Sequence, residues 1–166
     1  LYNNQNNIAR KHSGFTLVEL LVVIVVITII ALITIPSFQR AYMNANEAAA
    51  IAAMRTMIQG ENNKFLATGN YVTIRQLSAE RFIDERFGNG TTPETAETKT
   101  YNYQITIFTD GNGEENYVLS ATPTSINFAT QTGSKRFGAY KAGAIYFDKS
   151  NLQTHFTALS DFSGLT

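Results

Sequence analysis

Glu19 is the single charge in the apolar run from Phe15 to Ile35, FTLVELLVVIVVITIIALITI. A carboxylate inside a membrane helix costs about 2.5–3.5 kcal/mol on insertion scales, so such a group is expected to have a partner and a task. No basic side chain lies between Thr16 and Gln39 to serve. An α-amino group would serve, if the chain were cut just before Phe15. It would be cationic and one helical turn from Glu19, and an acid in a first turn also suits the helix dipole. Gly14, on the other side of that bond, has no side chain to keep a protease away from the backbone.

Few other residues invite chemistry. Asp110, Asn112, Glu114 and Glu115 form a dense set of oxygen ligands that could bind calcium. They lack the spacing of a full calcium loop, and Asp110-Gly111-Asn112-Gly113 reads better as a hairpin turn. His12 and His155 stand far apart without the neighbours that a metal cluster or a triad needs, and His155 reads as a surface strand residue. No nucleophile–base pair, phosphate-binding glycine loop or basic stripe is legible. The expectation is a protein without catalysis of its own, with no cofactor and no resident metal.

Composition narrows the class further. The chain has 166 residues, enough for one domain and an anchor, with 13 basic and 13 acidic side chains. That balance argues against a nucleic-acid partner. There is no cysteine, hence no disulfide framework and no thiol nucleophile. Arg10 and Lys11 precede the apolar run with no acid beside them, a flank that tends to stay in the cytoplasm.

The elements that must position Glu19 follow from the same stretch. As a helix, its 21 residues would span about 31 Å, close to a bilayer core. Its many β-branched residues favour strand, but an isolated segment in lipid satisfies its backbone only as a helix. A plain signal-anchor would look similar. A secretory signal peptide would need a small-residue cleavage site after the run, where Pro36-Ser37-Phe38 stands instead.

Ser13-Gly14 followed by Phe15-Thr16-Leu17-Val18-Glu19-Leu20-Leu21 resembles the prepilin cleavage and methylation motif of type IV pilins and type II secretion pseudopilins. The resemblance implies a prepilin peptidase that cuts between Gly14 and Phe15 and methylates the new amine of Phe15. It implies that Glu19 neutralises that amine as the subunit enters a filament. The implied partners are the peptidase, an inner-membrane assembly platform, inner-membrane lipid before assembly, and further copies of the chain as a helical homopolymer. The implied location is the bacterial inner membrane as a single-pass precursor, then an extracellular pilus or a periplasmic pseudopilus. A membrane-anchored periplasmic binding domain is the rival from another class.

The implied fold is α+β, a type IV pilin fold with a long N-terminal helix on a small antiparallel sheet of three to four strands. Its parts are a leader over 1–14, a membrane and filament-core helix over 15–36, and an amphipathic continuation over 37–66. A connecting loop with a short helix follows over 67–100, then a β head over 101–166. Pro36 is expected to kink a continuing helix, and Thr28 and Thr34 to bond back to their own helix. Thr28 stands where many members have glycine. Ile51, Met54, Ile58 and Phe65 recur at helical spacing, with Glu61 an acid in the same row. Thr73 or Ser78 would cap the short helix. The stretch Gly88 to Thr100 reads as an exposed loop. Strands are expected at Tyr101–Phe108, Tyr117–Ala121, Gly143–Phe147 and Gln153–Phe156. Many pilins staple their C-terminal region with a disulfide, which this chain cannot do.

Overall fold

The computed structural model describes residues 14–127, 130–141, 143–150 and 152–162. Of the expected leader only Gly14 is among them; Arg10, Lys11 and His12 lie outside. The chain divides into two units between Phe38 and Gln39.

Helix α1 runs Leu17–Thr68 and continues through Pro36. In the first unit its apolar side chains are exposed throughout, and it is long and apolar enough to cross a membrane. The hydroxyls of this stretch turn inward to their own backbone. Thr28 Oγ1 donates to Ile24 O at 2.7 Å and Thr34 Oγ1 to Ile30 O at 2.8 Å, as expected, and Ser37 Oγ reaches Ile33 O at 3.2 Å. In lipid, where no water is available, such bonds keep a polar side chain satisfied.

In the second unit α1 becomes one-sided. Glu47, Ala50, Ala53, Met54, Met57, Ile58, Gly60 and Glu61 are buried at helical spacing. They pack on a five-stranded antiparallel sheet, β1 (Thr95–Glu97), β2 (Tyr101–Thr109), β3 (Glu115–Pro123), β4 (Arg136–Tyr140) and β5 (Ile145–Asp148), in the order β1-β2-β3-β4-β5. The central hairpin pairs Tyr101 with Pro123 through to Thr109 with Glu115. On β2 the alternating Tyr101, Tyr103 and Ile105 are buried, as a period of two demands. Between α1 and the sheet lie α2 (Ile74–Ala79) and a 3-10 turn, Glu85–Asn89. Thr73 caps α2 in a reciprocal box with Gln76.

The sheet has five strands rather than three or four. β1 lies in the stretch expected to be an exposed loop, and β4 was not expected. The expected strand Gln153–Phe156 is irregular. It lies across the far side of the sheet, so β3 is buried on both faces. Tyr117, Leu119 and Ala121 join the core under α1, while Ser120 and Thr122 meet His155 on the other side. A 3-10 turn at Leu159–Phe162 follows.

Candidate functional site

The first turn of α1 is built from Thr16 and Glu19. Thr16 O accepts Leu20 N–H at 3.3 Å, which opens the helix. Thr16 N–H donates to Glu19 Oε2 at 2.8 Å, and Glu19 N–H donates to Thr16 Oγ1 at 3.2 Å. These two bonds are a reciprocal capping box, which satisfies two amides at the helix start. The Thr16 hydroxyl adds a third bond to Glu19 Oε2 at 2.8 Å. Glu19 is therefore held before any cut is made. Its Oε1 has no hydrogen-bond partner among the described residues. The T-x-x-E spacing signals this box, and the partner it supplies is a neutral one, beside the absence of a basic side chain in this stretch.

The Gly14–Phe15 bond lies outside the helix, which starts at Leu17. Both residues are exposed, Phe15 at 86%, and nothing lies within 4 Å of a Cβ built on Gly14. The bond stands immediately before a membrane-length helix whose first turn fixes a carboxylate. The prokaryotic N-terminal methylation motif matches residues 9–35. The chain carries a pilin-like class III signal. That signal, beside the α+β architecture, indicates a type IV pilin-like or pseudopilin-like protein. No curated protein and no solved structure matches the chain.

Beyond the class III signal, the calcium candidates come together as a turn. Asp110 Oδ1 accepts the N–H groups of Asn112 at 2.9 Å and Glu114 at 3.0 Å, and Oδ2 accepts Asn116 Nδ2 at 2.9 Å. The Glu114 and Asn112 amides, foremost, hold Asp110 below the usual carboxylate range. Glu114 stands 3.7 Å from Lys141 Nζ. Among the described residues no three acidic or histidine side chains gather.

Two further polar clusters join residues far apart in sequence, where no local pattern announces them. On α1, Glu47 receives Ser134 N–H at 2.8 Å, Ser134 Oγ at 2.7 Å and Lys135 Nζ at 2.8 Å, and it pins the chain before β4 to the helix. Burial works to raise this carboxylate; the Lys135 and Ser134 donors outweigh it and hold Glu47 low. On the far face of the sheet, His155 is a structural pin rather than a surface strand residue. Ser120 Oγ lies 2.6 Å from its Nδ1 and Thr122 Oγ1 3.3 Å from its Nε2. The two hydroxyls can serve both nitrogens of a neutral ring, and burial, with the Arg136 charge, pushes His155 down to about 4. This is a serine–histidine contact, but Ser120 is fully enclosed and no substrate reaches it.

The same face holds the C-terminal segment without a disulfide. Phe156 is wholly buried, stacked on Phe162 with centroids 5.0 Å apart, and covered by the Arg136 guanidinium at 4.1 Å. Arg136 binds Asp148 Oδ2 through Nε and Nη2 at 3.0 and 2.7 Å, and Thr154 O through Nη1 at 2.8 Å. Gly138 makes room: a Cβ there would come within 2.7 Å of Phe156 and 2.9 Å of Phe162.

Proposed function

We propose that this chain is the structural subunit, the pilin, of a type IV pilus or a related filament. The carrying observation is the exposed, non-helical Gly14–Phe15 bond set just before an apolar helix whose first turn orients Glu19. In this reading α1 holds the precursor in the inner membrane. Prepilin peptidase cuts between Gly14 and Phe15 and methylates Phe15. The new ammonium pairs with Glu19, whose Oε1 is open to it, and the exposed apolar side chains exchange lipid for the helices of neighbouring copies. The assembly platform moves the subunit into the filament, and the β head faces outward. In this reading Asp110, Asn112 and Glu114 serve as a hairpin turn, with Asp110 accepting its amides. Pseudopilins share this motif, so a periplasmic pseudopilus is the second form of the same reading.

Mass spectrometry of the protein isolated from cells tests it. The expected N-terminus is N-methylated Phe15; a product that retains residues 1–14 would overturn the reading. Abundance of the chain in sheared surface fibres separates a pilus from a periplasmic pseudopilus.

A further inference from the structure

Residues 69–73 carry the chain from the end of α1 to α2, and two carboxylates hold them. Tyr71 N–H donates to Glu115 Oε2 of β3 at 2.7 Å. The next amide, Val72 N–H, donates to Glu61 Oε2 of α1 at 3.2 Å. The Tyr71 ring stacks on Phe65 at 4.6 Å and meets Tyr117 edge-on at 4.8 Å. The loop is thus fastened to the helix and to the sheet at successive residues.

Glu61 is the unusual member. It is 0% exposed, and its Oε1 is buried with no hydrogen-bond partner among the described residues. The groups that face it are few. On α1 there is Lys64, whose ammonium is already taken by Glu80. On β3 there are Glu115 and the phenol of Tyr117, and in the loop the phenol of Tyr71. A buried carboxylate with an idle oxygen and a like charge nearby is relieved most simply by a proton. Burial first, and Glu115 after it, push Glu61 up to about 7 against the single pull of Val72 N–H and the weak pull of Lys64.

We propose that Glu61 holds a proton in the closed head, and that losing it releases residues 69–73 from α1 and β3, a proton-operated latch at the end of the long helix. The neutral acid still accepts Val72 N–H, while Glu115 remains the anion at Tyr71. Ionised Glu61 is repelled by Glu115 and has no second donor, so water must enter and the two amides let go. Opening uncovers Tyr117 and the stacked faces of Phe65 and Tyr71, beside the already exposed Leu66. The direction follows from the raised acid: closure is complete below about pH 4.5 and is lost as pH rises through about 7. The latch does not depend on the filament reading.

The test is amide hydrogen exchange on the full chain in detergent micelles, with wild type, Glu61→Gln and Glu115→Gln. Protection factors, corrected for intrinsic rates, are followed across 69–73. In wild type they should fall about tenfold per pH unit up to about pH 7 and then level off. Glu61→Gln should show level protection across the same range. Glu115→Gln should move the fall to lower pH, because the repelling anion is gone. Tyrosine near-ultraviolet circular dichroism verifies that each variant is folded. Level protection in wild type, or an undiminished fall in Glu61→Gln, would overturn the latch. So would millimolar calcium restoring protection in wild type at pH 8, since a cation rather than a proton would then be what the pair takes.

Discussion

Replacing Phe156 by alanine should remove most of what fastens the C-terminal segment. The ring is wholly buried between Gly138, Phe162 and the Arg136 guanidinium. Emptying such a site costs about 3–5 kcal/mol, the lost transfer energy plus the cavity left behind. A small domain has only about 5–15 kcal/mol in total, so the loss would be a large share of it. It also matches the roughly 2–4 kcal/mol of a disulfide, which is why a chain without cysteine can still hold this region. Guanidinium unfolding of the full chain in micelles, followed by tyrosine circular dichroism, measures it. Gly138→Ala supplies the control: both rings must move to admit the methyl, at a cost of about 1–3 kcal/mol. The double variant should lose clearly less than the sum, because removing the Phe156 ring removes the closest part of the clash and gives Phe162 room to move. A Phe156→Ala loss under about 1 kcal/mol, or strict additivity with Gly138→Ala, would refute the reasoning.

Other consequences can be checked one by one. Arg81 sits at φ +62° in the left-handed closure of α2, where its N–H reaches Ser78 O at 3.1 Å and Phe82 N–H reaches Leu77 O at 2.9 Å. Glycine is favoured there, so Arg81→Gly should raise stability by about 0.5–1 kcal/mol, and a loss in thermal or chemical unfolding would contradict that. His155 is depressed to about 4, so its share of stability is present above about pH 6.5 and lost as pH falls through 4, about 3 kcal/mol in all. Glu61 acts in the opposite direction over nearly the same window. The Glu61→Gln protein should therefore gain stability steeply between pH 4 and 6.5 where wild type changes little, and a flat profile for the variant would count against the buried neutral histidine. Glu19→Gln keeps an acceptor for the Thr16 cap but no charge; it should insert and be cut yet yield little sheared fibre, and normal yield would show that the charge is dispensable.

What could be read from the sequence was whatever local pattern decides. The apolar run has bilayer length, so α1 follows from the physics of lipid whatever its β-branched content. The β2–β3 hairpin follows from the period of two in β2 and the Asp-Gly-Asn-Gly turn after it. The features that escaped depend on distant partners. β1 is three residues with no alternation, a strand because Ala96 pairs with Tyr103 in the core. β4 is interrupted by Gly138, which reads as a breaker until Phe156 and Phe162 are seen to need the space. His155 takes its partner from Ser120, 35 residues away, which nothing in its own stretch announces. Glu61 is the informative irregularity, an acid in a helical row whose Met54 and Ile58 turn inward. A polar residue in a buried row signals either a wrong register or a special site, and here it is the latter.

At the helix start, the capping box changes what Glu19 is expected to do. A free glutamate loses rotamer freedom when it is fixed against a partner. Thr16 fixes it in advance through Oε2, leaving Oε1 clear. The proposed Phe15 ammonium would then meet an acceptor already oriented, on the oxygen that the cap does not use. Cap and ion pair reinforce one another instead of competing, and each supports the same helical geometry. It follows that Thr16→Ala, which leaves every charge in place, should still weaken fibre assembly, because Glu19 must then be ordered at the moment of pairing. A Thr16→Ala strain with wild-type fibre yield would mean that the ammonium alone orients the acid and that the box serves only the helix end.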